Sequence, residues 1–169
     1  SHSIEEEAAQ FNKATVIQTV SITKDFSGTD TSHLDEVERV LMITEDGRDV
    51  PTSAVMLEAM EKAASYGMIM GCHCEDVSLT TPAKKCRTTA LELIKQLDEN
   101  PENSDVLSAQ IDANLEEANM LLALAEDIAT ERNIELAKAS GCKLHIDHVS
   151  TKNAIEAIYN EPDCQISFV

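Results

Sequence analysis

Met68-Ile69-Met70-Gly71-Cys72-His73-Cys74-Glu75-Asp76 is an apolar run that closes abruptly in a histidine and two carboxylates. It reads as a buried strand with chemistry at its C-terminal end. A helical pattern precedes it and stops at Gly67, as expected of a parallel strand in an α/β sheet or barrel, where both faces are covered. In such folds the reactive side chains gather at the C-terminal ends of the strands. Lys143-Leu144-His145-Ile146-Asp147-His148-Val149-Ser150-Thr151 repeats the design, a short apolar strand ending in His148 and leading into a helix.

Working outward, Val40-Leu41-Met42-Ile43-Thr44 is a further buried strand, and it too breaks into polar residues, Glu45-Asp46-Gly47-Arg48-Asp49. Between it and the histidine strand, Thr52-Ser53 announces a helix whose stripe is Val55, Met56, Ala59, Met60, Ala63 and Ala64, ended by Gly67 as a left-handed cap. Residues 4–14 have helical apolar spacing and residues 15–22 form a β-branched run, so helix then strand is expected there. Residues 80–121 read as a helical hairpin inserted after the histidine strand, with its turn at Asn100-Pro101-Glu102-Asn103-Ser104. Its second arm runs on into a helix over 125–139 ended by Ser140-Gly141; Ser150 and Thr151 cap another helix through Ile158, and residues 164–169 open a last strand. Strand and helix alternate about five times, which makes a parallel α/β architecture, the middle of a barrel, the expected fold.

Composition narrows the functional classes. With 31 Asp and Glu against 13 Lys and Arg, the formal charge of −18 argues against nucleic acid or an anionic membrane as partner. No apolar run approaches the ~18 residues of a membrane span, and no signal-peptide order of residues is present. The five cysteines are odd in number and several lie in strand contexts, where thiols act as small hydrophobes, so a reducing, cytoplasmic protein is expected.

Side chains alternate along a strand, so His73 shares a face with Ile69 and Gly71 while Cys72 and Cys74 point the other way. A zinc-finger grouping of Cys72, Cys74, His145 and His148 is therefore disfavoured. The same parity puts His148 with Leu144 and Ile146, sets His145 and Asp147 on the opposite face as supporting or helix-packing groups, and puts Asp46 with Met42 and Thr44. If the three strands present these faces to one axis, Asp46, His73 and His148 converge at the strand ends. Imidazole and carboxylate suit zinc and similar divalent ions, which activate water at neutral pH.

Thr44-Glu45-Asp46-Gly47, His73-Cys74-Glu75-Asp76, Ala125-Glu126-Asp127-Ile128-Ala129-Thr130-Glu131-Arg132 and Leu144-His145-Ile146-Asp147-His148-Val149-Ser150-Thr151 occur in the order seen in dihydroorotases of the amidohydrolase superfamily. The chain resembles that family over residues 15–169. The resemblance implies a TIM (β/α)8 barrel carrying one or two zinc ions, which interconverts dihydroorotate and N-carbamoyl-L-aspartate in pyrimidine biosynthesis. It implies His73 and His148 as metal ligands on the fifth and sixth strands, and Asp46 as the catalytic, metal-bridging aspartate, with Glu45 in place of the first member of an aspartate pair.

The departures from the pattern are equally specific. No His-x-His pair with a following arginine is present, the usual eighth-strand aspartate base would lie past Val169, and helices over 80–121 replace a Gly-rich active-site loop. Residues 1–169 are thus expected to form a single incomplete barrel domain, about strands three to seven, with the helical insertion after the fifth strand, and to be inactive alone. An open barrel exposes strand edges, so a homo-oligomer is expected. Two other readings are a non-catalytic dihydroorotase-like subunit, for instance a partner of aspartate transcarbamoylase, and a related cyclic amidase such as an allantoinase or hydantoinase.

Overall fold

A computed structural model of the chain describes residues 2–37, 40–45 and 47–169. Four short strands, β1 (Met42–Thr44), β2 (Ile69–Cys72), β3 (Lys143–Ile146) and β4 (Ile166–Phe168), pair in that order, all parallel. Helix α1 (His2–Phe11) precedes the sheet, α2 (Ser53–Tyr66) joins β1 to β2, and α5 (Lys152–Tyr159) joins β3 to β4. Between β2 and β3 lie α3 (Val77–Glu99) and α4 (Ser104–Ser140), the two arms of the expected hairpin. The second arm is one uninterrupted helix of 37 residues that runs from the hairpin turn down to the sheet.

Local chemistry accounts for the boundaries. Thr52 caps α2 by accepting from the Val55 amide, and Gly67, at φ 71°, takes the left-handed conformation that ends it. Gly141 ends α4 in the same way at φ 70°. Thr151 caps α5 through the Ala154 amide at 3.1 Å, and Asp76 caps α3 through the Ser78 amide at 2.9 Å.

The β-branched run at 15–22 does not become a strand. Only Val20 bridges Ile43, and its carbonyl accepts from the Thr44 amide at 2.9 Å. Val16 and Ile17 are exposed. Backbone propensity alone does not hold a strand without a face to bury.

One face of the sheet is covered by α2 and the lower half of α4. Ile43, Met70, Cys72, Leu144 and Ile146 are buried there against Met56, Met60, Ala63, Ile134 and Ala137. The opposite face carries Met42, Thr44, Ile69 and His145, all half-buried, around the fully enclosed Gly71. A Cβ on Gly71 would sit 3.2 Å from both Met42 Sδ and Thr44 Cβ, so that position lets β1 and β2 pack tightly. No helix among the described residues is long and apolar enough to cross a membrane.

Candidate metal and ligand site

Beyond the C-terminal ends of β2 and β3 the imidazoles of His73 and His148 face each other, with ring centroids 5.3 Å apart and planes inclined at 43°. His73 follows the alternation of its strand. Cys72 and Cys74, on the other parity, are 1% exposed and belong to the core. Burial raises the Cys72 thiol well above its ordinary value and pushes Cys74 up to about 12, so both are neutral hydrophobes and not metal-binding thiolates.

His148 reaches the same place by a different route from the one alternation gives. Leu144 and Ile146 lie opposite Met70 and Cys72 on the helix-covered face, so a continued β3 would carry His148 into the core side, away from His73. The strand instead ends at Ile146, and His148 adopts φ +61°. Cys74, next to His73, is likewise left-handed at φ +53°. Each such non-glycine residue costs on the order of 1–2 kcal/mol, and strain of this kind gathers at functional sites.

His145 and Asp147 are not helix-packing groups. His145 lies opposite Gly71 on the His73 face, its Nε2 3.2 Å from Asp147 Oδ1 and its Nδ1 2.8 Å from Ser167 Oγ. The alternation that separated them from the site was anchored on His148, the one residue that departs from it.

The loop after β1 divides in the same sense. Glu45 is buried, and its carboxylate accepts from the Thr23 amide at 2.9 Å and from the Thr23 hydroxyl. That engagement ties it to the chain before β1 instead of to His73. Asp46, the other candidate, lies outside the described residues. Its neighbour Gly47 donates its backbone N–H to Nε2 of His73 at 3.0 Å.

A polar network behind the histidines anchors these loops to α4. Arg132 donates to Asp49 Oδ2 at 2.9 Å and to Asn133 Oδ1 at 3.0 Å, and Asn133 Nδ2 contacts Asp49 Oδ2 at 3.4 Å and Cys74 Sγ at 3.5 Å. Burial pushes the Asp49 carboxyl up to about 6, and the Arg132 charge and the Asn133 hydrogen bond only partly oppose that. On the His148 side, Glu126 Oε1 accepts from the amides of Ser150 and Thr151 at 2.7 and 2.8 Å, and its other oxygen bonds the Ser150 hydroxyl. Asp127 takes the Thr151 hydroxyl at 2.5 Å and the Asn153 amide group at 2.7 Å. Single residues far apart in sequence thus fix both histidine loops, and only the Ala125–Arg132 segment as a whole carried a signal in the sequence.

Could this site hold a metal? Two imidazoles are suitable donors in kind. Thr44 Oγ1, on the face His73 continues, is buried without a hydrogen-bond partner among the described residues, which leaves the strand ends with an unsatisfied oxygen. Among the described residues no three His, Cys, Asp or Glu side chains are grouped closely enough to hold an ion. The described donors alone therefore do not make a metal site, and the carboxylate expected from Asp46 falls outside them. The histidine pair opens into a cleft of about 580 Å³ whose far wall is built by the hairpin, with Lys84 and Arg87 from α3 and Asn119 from α4.

A parallel sheet with its helices between successive strands is an α/β fold. The chain superposes along 97% of its length on D-hydantoinase structures, at TM-score 0.58 and 15% identity in one case and 0.56 and 15% in the enzyme from Bacillus sp. AR9, matching 35% of each. At that identity the likeness is one of fold. In sequence the chain is similar to dihydroorotases, 28% identical over 140 residues to that of Caldanaerobacter subterraneus subsp. tengcongensis and 28% identical over 163 residues to that of Clostridium botulinum. These matches take in 82% and 95% of the chain, so the resemblance carried by the four motifs holds along most of it. The chain spans about 27–31% of the length of these curated relatives. No family model matches it.

Proposed function

We propose that the chain is the histidine-bearing part of a metal-dependent cyclic amidohydrolase, a dihydroorotase acting between dihydroorotate and N-carbamoyl-L-aspartate. The observation that carries this reading is the His73–His148 pair at the ends of adjacent parallel strands, in a chain similar to dihydroorotases over most of its length. Residues 1–169 then form one incomplete barrel domain, about strands three to seven, with α3 and the upper part of α4 as its insertion.

His73 and His148 would hold the metal, a zinc ion by the family's chemistry, together with Asp46. A divalent ion there would supply Lewis acidity at the ring amide carbonyl. The chain's own residues provide the frame. The Arg132–Asp49–Asn133 network seats the Cys74 turn on α4. Glu126 and Asp127 pin the loop that follows His148.

The five histidines include no His-x-His pair, so the donor set within these 169 residues is incomplete and we read the chain on its own as inactive. A soluble cytoplasmic enzyme that assembles with further copies, or with aspartate transcarbamoylase, is the setting this reading implies. Cyclisation of N-carbamoyl-L-aspartate by the full-length gene product tests it. Activity that is abolished by His73→Ala and by His148→Ala, with zinc content falling in both, is expected. A full-length protein that binds zinc but leaves carbamoyl-aspartate unchanged would instead favour a non-catalytic subunit.

A further inference from the structure

The cleft in front of the histidines has a second wall, and its chemistry differs from that of the rest of the surface. Helix α3 packs on α4, and the residues it buries, Thr80, Ala83 and Ala90, are all small or short, as are Ala118 and Ala125 on α4. Lys84 and Arg87 flank that stripe one turn apart on α3, and both line the cleft that holds His73 and His148. Residues three apart on a helix lie side by side, roughly 5–6 Å between Cβ atoms, so the two cations can act on one ligand group.

These charges are unusual for where they sit. The chain has only 13 basic residues against 31 acidic ones, and four of them are held in ion pairs among the described residues: Lys62 by Asp35, Arg132 by Asp49, Lys138 by Glu135 and Glu161, Lys152 by Glu156. Neither Lys84 nor Arg87 has a carboxylate within ion-pair distance among the described residues. Two carboxylates do line the same cleft. Glu126 is consumed by the Ser150 and Thr151 amides and the Ser150 hydroxyl. Glu75 is exposed beside His73 and makes no ion pair with either cation.

We infer that Lys84 and Arg87 are an anion clamp that holds the carboxylate of a small substrate against the histidine pair. The guanidinium fork of Arg87 takes the two carboxylate oxygens and Lys84 adds a point charge. The hairpin thereby supplies a carboxylate contact to the site. The inference rests on the functional reading above for the identity of the ligand, though not for the presence of the clamp.

Succinate and its uncharged analogue succinamide are the probes. Titration of the protein with each, read at the ring protons of His73 and His148, should give saturable shifts with succinate and none with succinamide. K84Q/R87Q should weaken succinate binding by roughly tenfold or more, the effect of losing charge-assisted hydrogen bonds, while K84R retains it. Succinate binding unchanged in the double variant, equal binding of succinamide, or no saturable response to succinate overturns the inference. These readouts need no turnover. Absent cyclisation with succinate binding that still depends on Lys84 and Arg87 removes the dihydroorotase reading and leaves the clamp. Cyclisation with an unaltered KM in K84Q/R87Q does the reverse.

Discussion

The amide of Gly47 donates to Nε2 of His73 across 3.0 Å, fastening the loop after β1 to the residue after β2. Gly47 sits at φ +65° and a Cβ there would meet nothing within 4 Å. Gly47→Ala is therefore purely a backbone change. It should lower stability by about 1 kcal/mol and shift the ring 15N resonances of His73. Unchanged ring resonances would show that the loop does not set the state of this imidazole.

Asp49 ties stability to pH in a definite direction. Its carboxyl is raised from 3.8 to about 6 by burial, so the folded state holds the proton more tightly than the unfolded one. Stability from this group is present below pH ~4 and is lost as pH rises through about 6, by on the order of 3 kcal/mol. Asp49→Asn cannot titrate. Urea unfolding should show the variant gaining on the parent protein between pH 4 and pH 7, and parallel curves for the two would refute this account of Asp49.

Glu126 is the residue on which the loop after His148 depends. Glu126→Ala leaves the Ser150 and Thr151 amides without their acceptor, at a cost of about 1 kcal/mol. Hydrogen exchange at those two amides should accelerate well beyond that of the β3 amides. Equal protection in the variant would mean that the left-handed turn at His148 is held by other contacts.

Gly71 marks a close contact between β1 and β2. Gly71→Ala brings its methyl against Met42 and Thr44, and such overpacking costs roughly 1–3 kcal/mol. Thermal unfolding measures it. A variant as stable as the parent would show that Met42 swings away at no cost.

The strands that matter were legible because each is a short apolar run closed by polar residues, and α2 because its stripe lies between a threonine cap and a left-handed glycine. The hairpin was legible as well, down to its turn. Three things were not. The position of His148 depends on a backbone conformation set by Glu126, 22 residues earlier in the chain, and no alternation rule contains it. The anchoring of Asp49 by Arg132 joins residues 83 apart, a pairing that spacing cannot reveal. The run at 15–22 carries strong strand propensity yet pairs at one residue, because propensity says nothing about what covers it. Parity succeeded at β2, where the strand continues straight into His73, and misplaced His145 and Asp147 at β3, where it does not.

The uninterrupted course of α4 couples what would otherwise be separate. At 1.5 Å per residue its 37 residues form a rod about 55 Å long. The upper length carries Asn119 and the α3 wall, and the lower carries Glu126, Asp127, Arg132 and Asn133, which grip both histidine loops. The mouth of the cleft and the seats of the two imidazoles are thus mounted on one beam. A tilt that widens the mouth is felt at the seats in the same motion, so the width of the cleft and the spacing of the histidines are a single mechanical variable.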